Sequence, residues 1–189
     1  MKKLNLREVI EWTCRLYVFV FLNFYGLAKL IGGQFYTPGR MPEEVALMPL
    51  AEAPNFELAW TFMGRSFGYM TFIALSEIIG AWLLLFNRTK LLGASMLLIV
   101  LMNVIVFDIF FLDKYGALGS ATIYFLLLCL VLYLNKNQIR EAFNSLTRPS
   151  ENTASLKEKA LVFGAAILLM AIIFGIDQTI VNLLGHGKG

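Results

Sequence analysis

The chain has 189 residues, of which 58% are hydrophobic and 15% are charged. A soluble domain averages roughly 45–50% apolar and 25% charged residues, so a soluble fold of this size could not bury so much apolar surface. The composition excludes an ordinary water-soluble protein and predicts an integral membrane protein in contact with the lipid bilayer. The net charge of +3 reflects basic residues between the apolar segments and gives no indication of nucleic-acid binding.

Five apolar segments have the length of a membrane span, which requires about 20 mostly apolar residues. They cover residues 9–32, 60–86, 91–112, 116–134 and 160–184. Because none of them alternates with period two, the sequence predicts an all-α fold, a polytopic helical bundle. The first segment is not typical of a cleaved signal peptide, because Arg15 interrupts it and no small-residue cleavage site follows.

The segments between the spans divide the chain into three predicted parts. Residues 1–134 form a four-helix membrane domain with an outer loop over 33–58, residues 135–159 form a cytoplasmic linker, and residues 160–189 contain the fifth span and a tail. The prolines of the outer loop exclude a long helix there but allow a short one over 42–48. The loop is longer than an ordinary connection, so it is either a cap over the bundle or a partner surface.

Basic residues predict the orientation of the spans. A cytoplasmic N-terminus places ten Lys and Arg residues in inner segments and three in outer segments. The inner ones are Lys2, Lys3, Arg7, Arg88, Lys90, Lys136, Arg140, Arg148, Lys157 and Lys159, and the outer ones are Arg40, Lys114 and Lys188. Cytoplasmic loops of membrane proteins carry such an excess of positive charge. We therefore expect a multi-pass protein of the bacterial inner membrane, with its N-terminus inside and its C-terminus outside.

Charged residues within the spans are the main candidates for a functional site, because such charges are costly and usually face the bundle interior. They are Arg15, Lys29, Arg65, Glu77, Asp108 and Asp177. A rise of about 1.5 Å per residue places Arg15 and Glu77 in an inner layer and the other four in an outer layer. We expect an Arg15–Glu77 pair, and around the outer layer a pocket that opens outward. Three further residues could supply hydrogen bonds to it: Tyr25, Tyr69 and Asn103.

These charges have more than one interpretation. Lys29 and Arg65 could extend to the outer surface while ion pairs only fix helix register. Alternatively, the charges line a water-accessible pocket for a small molecule or a quinone-like head group, or they form a proton or ion path. Arg15 and Lys29 lie on one stripe of the first span, so both can point inward together.

Short motifs follow one another on the first two spans and on the turn after them. In chain order they are Arg15, GLAKL at 26–30, EIIGAWLLL at 77–85, NRT at 87–89 and LGA at 92–94. With this series, the chain from Arg7 to Leu134 resembles the DoxX family of small four-helix bacterial membrane proteins. The resemblance implies a four-helix core made of the first four spans. The fifth span, with Asp177, departs from that plan.

The resemblance also implies a functional context. Some DoxX proteins are subunits of membrane oxidoreductases, including thiosulfate:quinone oxidoreductase, and others accompany redox-defence proteins. It therefore implies an accessory subunit with a membrane or periplasmic protein partner, and a quinone as a candidate ligand. The alternatives are a purely structural, scaffolding subunit and a small-molecule transporter, although five spans without inverted halves argue against a transporter. Whether the chain is itself an enzyme stays open, and no catalytic residue is assigned.

Redox centres within the chain are excluded by residue type. The single histidine, His186, lies in the C-terminal tail, which excludes a bis-histidine haem within one chain. Cys14 and Cys129 form no CxxC pair and cannot hold an iron–sulfur cluster by themselves. We therefore expect no metal and no covalently bound cofactor, so that a partner or a diffusible quinone would carry the electrons in any redox reaction.

Overall fold

The computed structural model describes residues 5–112, 115–148 and 155–184, and these ranges contain helices and no strand. The chain divides into two compact units, Met1–Leu146 and Thr147–Gly189. The helices are α1 (Leu6–Leu30), α2 (Glu43–Ala46), α3 (Asn55–Arg65), α4 (Phe67–Leu85), α5 (Lys90–Phe111), α6 (Tyr115–Leu134), α7 (Lys136–Leu146) and α8 (Leu156–Leu184). The prediction of an all-α fold is confirmed for the described part of the chain.

Four of these helices, α4, α5, α6 and α8, are long and apolar enough to cross a membrane. The helix α1 has 25 residues but is not among them, and its sequence contains Glu8, Glu11, Arg15 and Lys29. The structure therefore supports a helical membrane protein with four candidate spans in the described residues. A fifth crossing, by α1, stays a prediction.

The first unit is built on a four-helix bundle. Its helices α1, α4, α5 and α6 contact one another in a closed ring, in which α1 packs on both α4 and α6. Short connections make α4, α5 and α6 antiparallel neighbours, as their tight turns predict. The core residues are Val18, Leu22, Ala81, Leu84, Ala94, Leu97, Leu101, Ala121, Tyr124 and Leu128.

Glycines allow the bundle helices to approach closely. A Cβ atom added at Gly80 would lie 2.6 Å from the Leu97 side chain, and one at Gly93 would lie 2.6 Å from the backbone nitrogen of Leu84. Both distances are below any normal contact. At Gly93 the close atoms belong to the α4 backbone, so only glycine fits there, whereas at Gly80 the Leu97 side chain would have to shift. Small residues therefore allow these two membrane helices to pack closely.

The predicted span over 60–86 is wrong as a single helix. The chain is extended at Ser66, and the helix divides there into α3 and α4. The Ser66 hydroxyl accepts a hydrogen bond of 3.3 Å from the Tyr69 backbone N–H and so caps the start of α4. Apolar composition does not reveal such a break, because a single serine within an apolar run is also compatible with a continuous helix.

The segment between α1 and α4 covers one end of the bundle. A short helix, α2, begins after Pro42 and lies within the predicted 42–48. The predicted loop over 33–58 is shorter than expected, because α3 begins at Asn55 directly after Pro54. We call this end of the bundle the loop end. It also contains the last turns of α1 and α5 and the first turns of α4 and α6.

The predicted linker over 135–159 begins with a helix, α7, which has 11 residues. In the second unit, Ser155 and Glu158 form a reciprocal cap at the start of α8. The Ser155 backbone N–H donates to Glu158 Oε2 at 2.7 Å, and the Glu158 N–H donates to the Ser155 hydroxyl at 3.4 Å. This cap begins a helix of 29 residues, longer than the predicted 160–184.

Candidate functional site

A cavity of about 440 Å³ lies at the loop end of the first unit. Its walls come from α1, α3, α4, α5 and α6, and Gln34 and Phe35 of the connecting segment also line it. This volume lies within the range of roughly 300–1,000 Å³ found for small-molecule sites. Its polar lining residues are Tyr25, Lys29, Gln34, Tyr69, Ser76, Glu77, Asn103, Asp108, Ser120 and Tyr124.

Lys29 and Glu77 form an ion pair in the wall of this cavity. The Lys29 ammonium lies 2.8 Å from Glu77 Oε1 and 2.7 Å from Oε2, so one cation contacts both carboxylate oxygens. The two residues are 5% and 3% exposed. The Lys29 ammonium also lies 5.8 Å from the centre of the Tyr25 ring. Because buried charges require such pairing, Lys29 and Glu77 neutralise each other.

The predicted Arg15–Glu77 pair is wrong, and helix geometry explains why. Arg15 contacts the end of α4 at Leu84, whereas Glu77 lies about 12 Å along the helix from Leu85. Side chains lean toward the N-terminus of their own helix. Since α1 and α4 are antiparallel, Lys29 and Glu77 lean toward each other, and the long lysine side chain spans the remaining offset.

Asp108, on the last turn of α5, also lines the cavity and forms no ion pair with any residue that the structure describes. It is 5% exposed, and its Oδ2 atom is buried without a hydrogen bond. The ion pairs found among the described residues are Arg15–Glu11, Lys29–Glu77 and Lys90–Glu11, and none includes Asp108. The cavity wall thus contains one ammonium and two carboxylates, and one of those carboxylates is free to receive a ligand.

Aromatic rings form much of the remaining wall, and they come from every helix of the bundle and from α3. They are Tyr25, Phe35, Trp60, Tyr69, Phe72, Phe107 and Tyr124. The Trp60 ring stacks on Phe56 with centroids 4.2 Å apart and contacts Phe35 edge-on at 5.3 Å. Such a wall favours a ligand with an apolar or aromatic body, oriented by a few polar groups.

Five predicted site residues besides Lys29 line this cavity, and one predicted pocket residue lies outside it. Tyr25, Tyr69, Asn103 and Asp108 line it together with Glu77, as the pocket hypothesis requires. Arg65 is exposed at the end of α3, outside the candidate spans. It was assigned to a span only because the sequence does not show the break at Ser66.

Arg15 belongs to a separate polar cluster at the opposite end of the bundle. Its side chain donates to the Leu84 carbonyl at 2.7 Å, to the Leu85 carbonyl and to Asn87 Oδ1 at 2.9 Å. Arg15 is 1% exposed and caps the last carbonyls of α4, the end of a helix that favours a cation.

Glu11 completes this cluster, and sequence reasoning missed it. Glu11 Oε1 accepts from Lys90 at 2.6 Å and from Arg15 at 3.4 Å. The signal was present, because Glu11 and Arg15 are spaced i, i+4 on one helix face. Glu11 lies near the start of the predicted span over 9–32 and was not among the candidate residues.

Two predicted features lie in other parts of the chain. Asp177 is on α8 in the second unit, where the Gln178 side chain donates to it at 3.5 Å, and its role in a pocket stays a prediction. His186 lies outside the described residues. Within the described ranges, no group of three or more His, Cys, Asp or Glu side chains is arranged to hold a metal ion.

Comparison with known proteins identifies a relative in Bacillus subtilis (strain 168). The chain is 32% identical over 137 residues to the uncharacterized protein YwoB, an alignment that covers 72% of this chain and 84% of the relative. This protein belongs to the YwoB family. No family model and no solved structure matches the chain. The YwoB alignment covers most of the relative, so it extends well beyond any single helix of the bundle.

Proposed function

We propose that this member of the YwoB family is an integral membrane accessory subunit whose loop-end cavity binds the head group of a small, membrane-soluble molecule. In this proposal α1 is a fifth span, the N-terminus is cytoplasmic, and the cavity opens toward the outer face of a bacterial inner membrane. The oriented polar groups of the cavity fix the ligand, and its aromatic wall holds the apolar body.

One observation carries the proposal: Asp108 is buried in the cavity wall with Oδ2 unpaired. A scaffold needs its buried charges satisfied, because an unpaired polar atom in a low-dielectric interior costs about 1–3 kcal/mol or more. Lys29 and Glu77 meet that requirement, and Asp108 does not. A ligand that occupies the cavity would satisfy Asp108 in the bound state.

The redox part of the proposal rests on the resemblance to the DoxX family. It predicts that the ligand is a quinone-like molecule or that the protein associates with a membrane oxidoreductase. The scaffold alternative predicts instead an empty cavity and ion pairs that serve only packing. A transporter would have to expose the cavity to both faces of the membrane.

Binding is tested by extraction of co-purified small molecules from the full-length protein in mild detergent, followed by mass spectrometry. The test variant is Ala117→Trp, which fills the cavity from an exposed wall position without removing a polar group. The matched control is Ile123→Trp, an exposed position on the same helix that does not line the cavity.

We expect a small molecule to co-purify with the wild type and with Ile123→Trp and to be lost from Ala117→Trp. If all three proteins carry the same small molecules, or none, the cavity is not a binding site and the scaffold alternative is correct. A quinone in the extract would also support the redox association, which affinity purification of partners from the native membrane tests separately.

A further inference from the structure

We infer that the cavity selects a ligand whose head group is a cationic amine, bound by Asp108 and surrounded by the aromatic wall. This inference rests on the proposed function, since it names the chemical class of the ligand that the same cavity binds. It starts from the charges in the wall, which are Lys29, Glu77 and Asp108.

The charge balance of the cavity points to a cation. Lys29 and Glu77 cancel each other through contacts of 2.7 and 2.8 Å to both carboxylate oxygens. Asp108 then leaves one uncompensated negative charge in the wall. Buried charges are normally paired, and the partner for this one is absent from the described residues.

The hydrogen-bonding needs of Asp108 also indicate a ligand that donates. A carboxylate accepts hydrogen bonds only, so the group that satisfies Asp108 Oδ2 must be a donor. Lys29, the one charged donor of the wall, directs two contacts of its ammonium to Glu77, and that carboxylate neutralises its charge. Gln34 also lines the cavity, and its side-chain amide oxygen is buried without a hydrogen bond. Because this amide can flip, Gln34 can present either a hydrogen-bond acceptor or a donor to a ligand.

The aromatic wall supplies the second recognition element for a cation. Ring faces attract an ammonium group within about 6 Å, most strongly when water is excluded. Lys29 already uses this contact, 5.8 Å from the Tyr25 ring. Tyr69, Phe107 and Tyr124 line the same cavity and could contact a second cation there. An amine with an apolar or aromatic body therefore matches both the free carboxylate and the rings.

Two sources could supply such an amine. One is a free lipophilic amine, and the other is the headgroup of an aminophospholipid such as phosphatidylethanolamine. Both carry the same ammonium donor, and they differ in the phosphate next to it. Because Lys29 is neutralised by Glu77, the wall offers that phosphate no free cation.

The experiment measures binding of 2-phenylethylamine and of its neutral isostere 2-phenylethanol to the full-length protein in detergent, by the fluorescence of Trp60 in the cavity wall. The Trp12→Phe, Trp82→Phe background isolates that signal. We expect the amine to bind at least about tenfold more tightly than the alcohol, because hydrogen bonds to charged groups are worth about twice neutral ones.

Asp108→Asn, which keeps the shape of the side chain and removes its charge, should eliminate that difference. The control Glu57→Gln removes a negative charge from a residue outside the cavity wall and should keep the difference. Binding of the alcohol to Asp108→Asn, at wild-type strength, shows that the variant is folded with its cavity intact.

Equal binding of amine and alcohol to the wild type, or an amine preference that survives in Asp108→Asn, would overturn the inference. If neither probe binds but the wild type still carries a co-purified molecule that Ala117→Trp loses, the cation inference is wrong and the proposed binding function stands. To identify the source of the amine, 2-phenylethylamine binding is measured in nanodiscs of phosphatidylethanolamine and, as control, of phosphatidylcholine. Weaker binding in phosphatidylethanolamine identifies a lipid headgroup as the ligand, and equal binding in both lipids identifies a free amine.

Discussion

The Lys29 ammonium contacts both carboxylate oxygens of Glu77, at 2.7 and 2.8 Å, although the two residues are 48 positions apart in the chain. This pair joins the last turns of α1 to the middle of α4. It also leaves Asp108 as the free carboxylate of the same cavity.

Breaking this pair should be costly. Glu77→Gln leaves the Lys29 ammonium buried without a counter-charge, and removal of one partner of a buried pair typically costs about 3–5 kcal/mol. Replacement of both residues, by Lys29→Met with Glu77→Leu, should recover much of that loss. The measurement is the free energy of unfolding in detergent. Glu52→Gln, at an exposed position, is the control and should change little. A double variant no more stable than Glu77→Gln alone would show that the charges do not meet.

Arg15 should stabilise the end of α4 independently of Glu77. Arg15→Lys keeps the charge but cannot reach the Leu84 and Leu85 carbonyls and Asn87 together, so we expect a loss of about 1–3 kcal/mol. The exposed Arg88→Lys is the matched control, with an effect within about 0.5 kcal/mol. The effects of Arg15→Lys and Glu77→Gln should add, because the residues have no shared partner. A strong coupling energy between Arg15→Lys and Glu77→Gln in a double-mutant cycle would contradict the separation of the Arg15 cluster from the Lys29–Glu77 pair.

Gly93 should tolerate no side chain. In Gly93→Ala, the new Cβ would lie 2.6 Å from the Leu84 nitrogen and 2.8 Å from the Gly80 carbonyl oxygen, both on the backbone of α4. We therefore expect α4 and α5 to separate and the thermal midpoint in detergent to fall. Gly119→Ala is the control, since nothing lies within 4 Å of its added Cβ. That control should be neutral or stabilising by about 0.5–1 kcal/mol, because alanine is the better helix former. Equal midpoints for both variants would contradict the close approach of α4 and α5.

The two ends of the bundle should lie on opposite sides of the membrane. Single cysteines at Ala51, in the connecting segment, and at Ser145, on α7, are both exposed. In a Cys14→Ala, Cys129→Ala background, an impermeant thiol reagent added to intact cells should label Ala51→Cys. Ser145→Cys should react only after permeabilisation, as the positive-inside distribution requires. Labelling of both positions in intact cells would contradict a crossing by α4, α5 and α6, the three candidate spans between Ala51 and Ser145.

The amino-acid sequence determined the class of this protein and the positions of most of its helices. Long apolar runs can form little other than helices in a lipid solvent, because every backbone group must be satisfied within the segment. The burial of Arg15 and Lys29 on one stripe of α1 followed from helical periodicity alone. The glycines at 80 and 93 were likewise readable as close-packing positions, and the GLAKL motif placed Lys29 one turn beyond Gly26.

The tertiary structure decided which charges meet. The sequence fixes spacing along one helix, but the offset between two helices depends on where each begins, on its tilt and on the lean of its side chains. The break at Ser66 places Arg65 on α3, outside the candidate spans, and the offset between the antiparallel helices α1 and α4 brings Glu77 to Lys29 rather than to Arg15. Asp108 shows the same dependence. Its charge is evident in the sequence, but only the packing of α1, α4, α5 and α6 surrounds it with a cavity and leaves it without a partner.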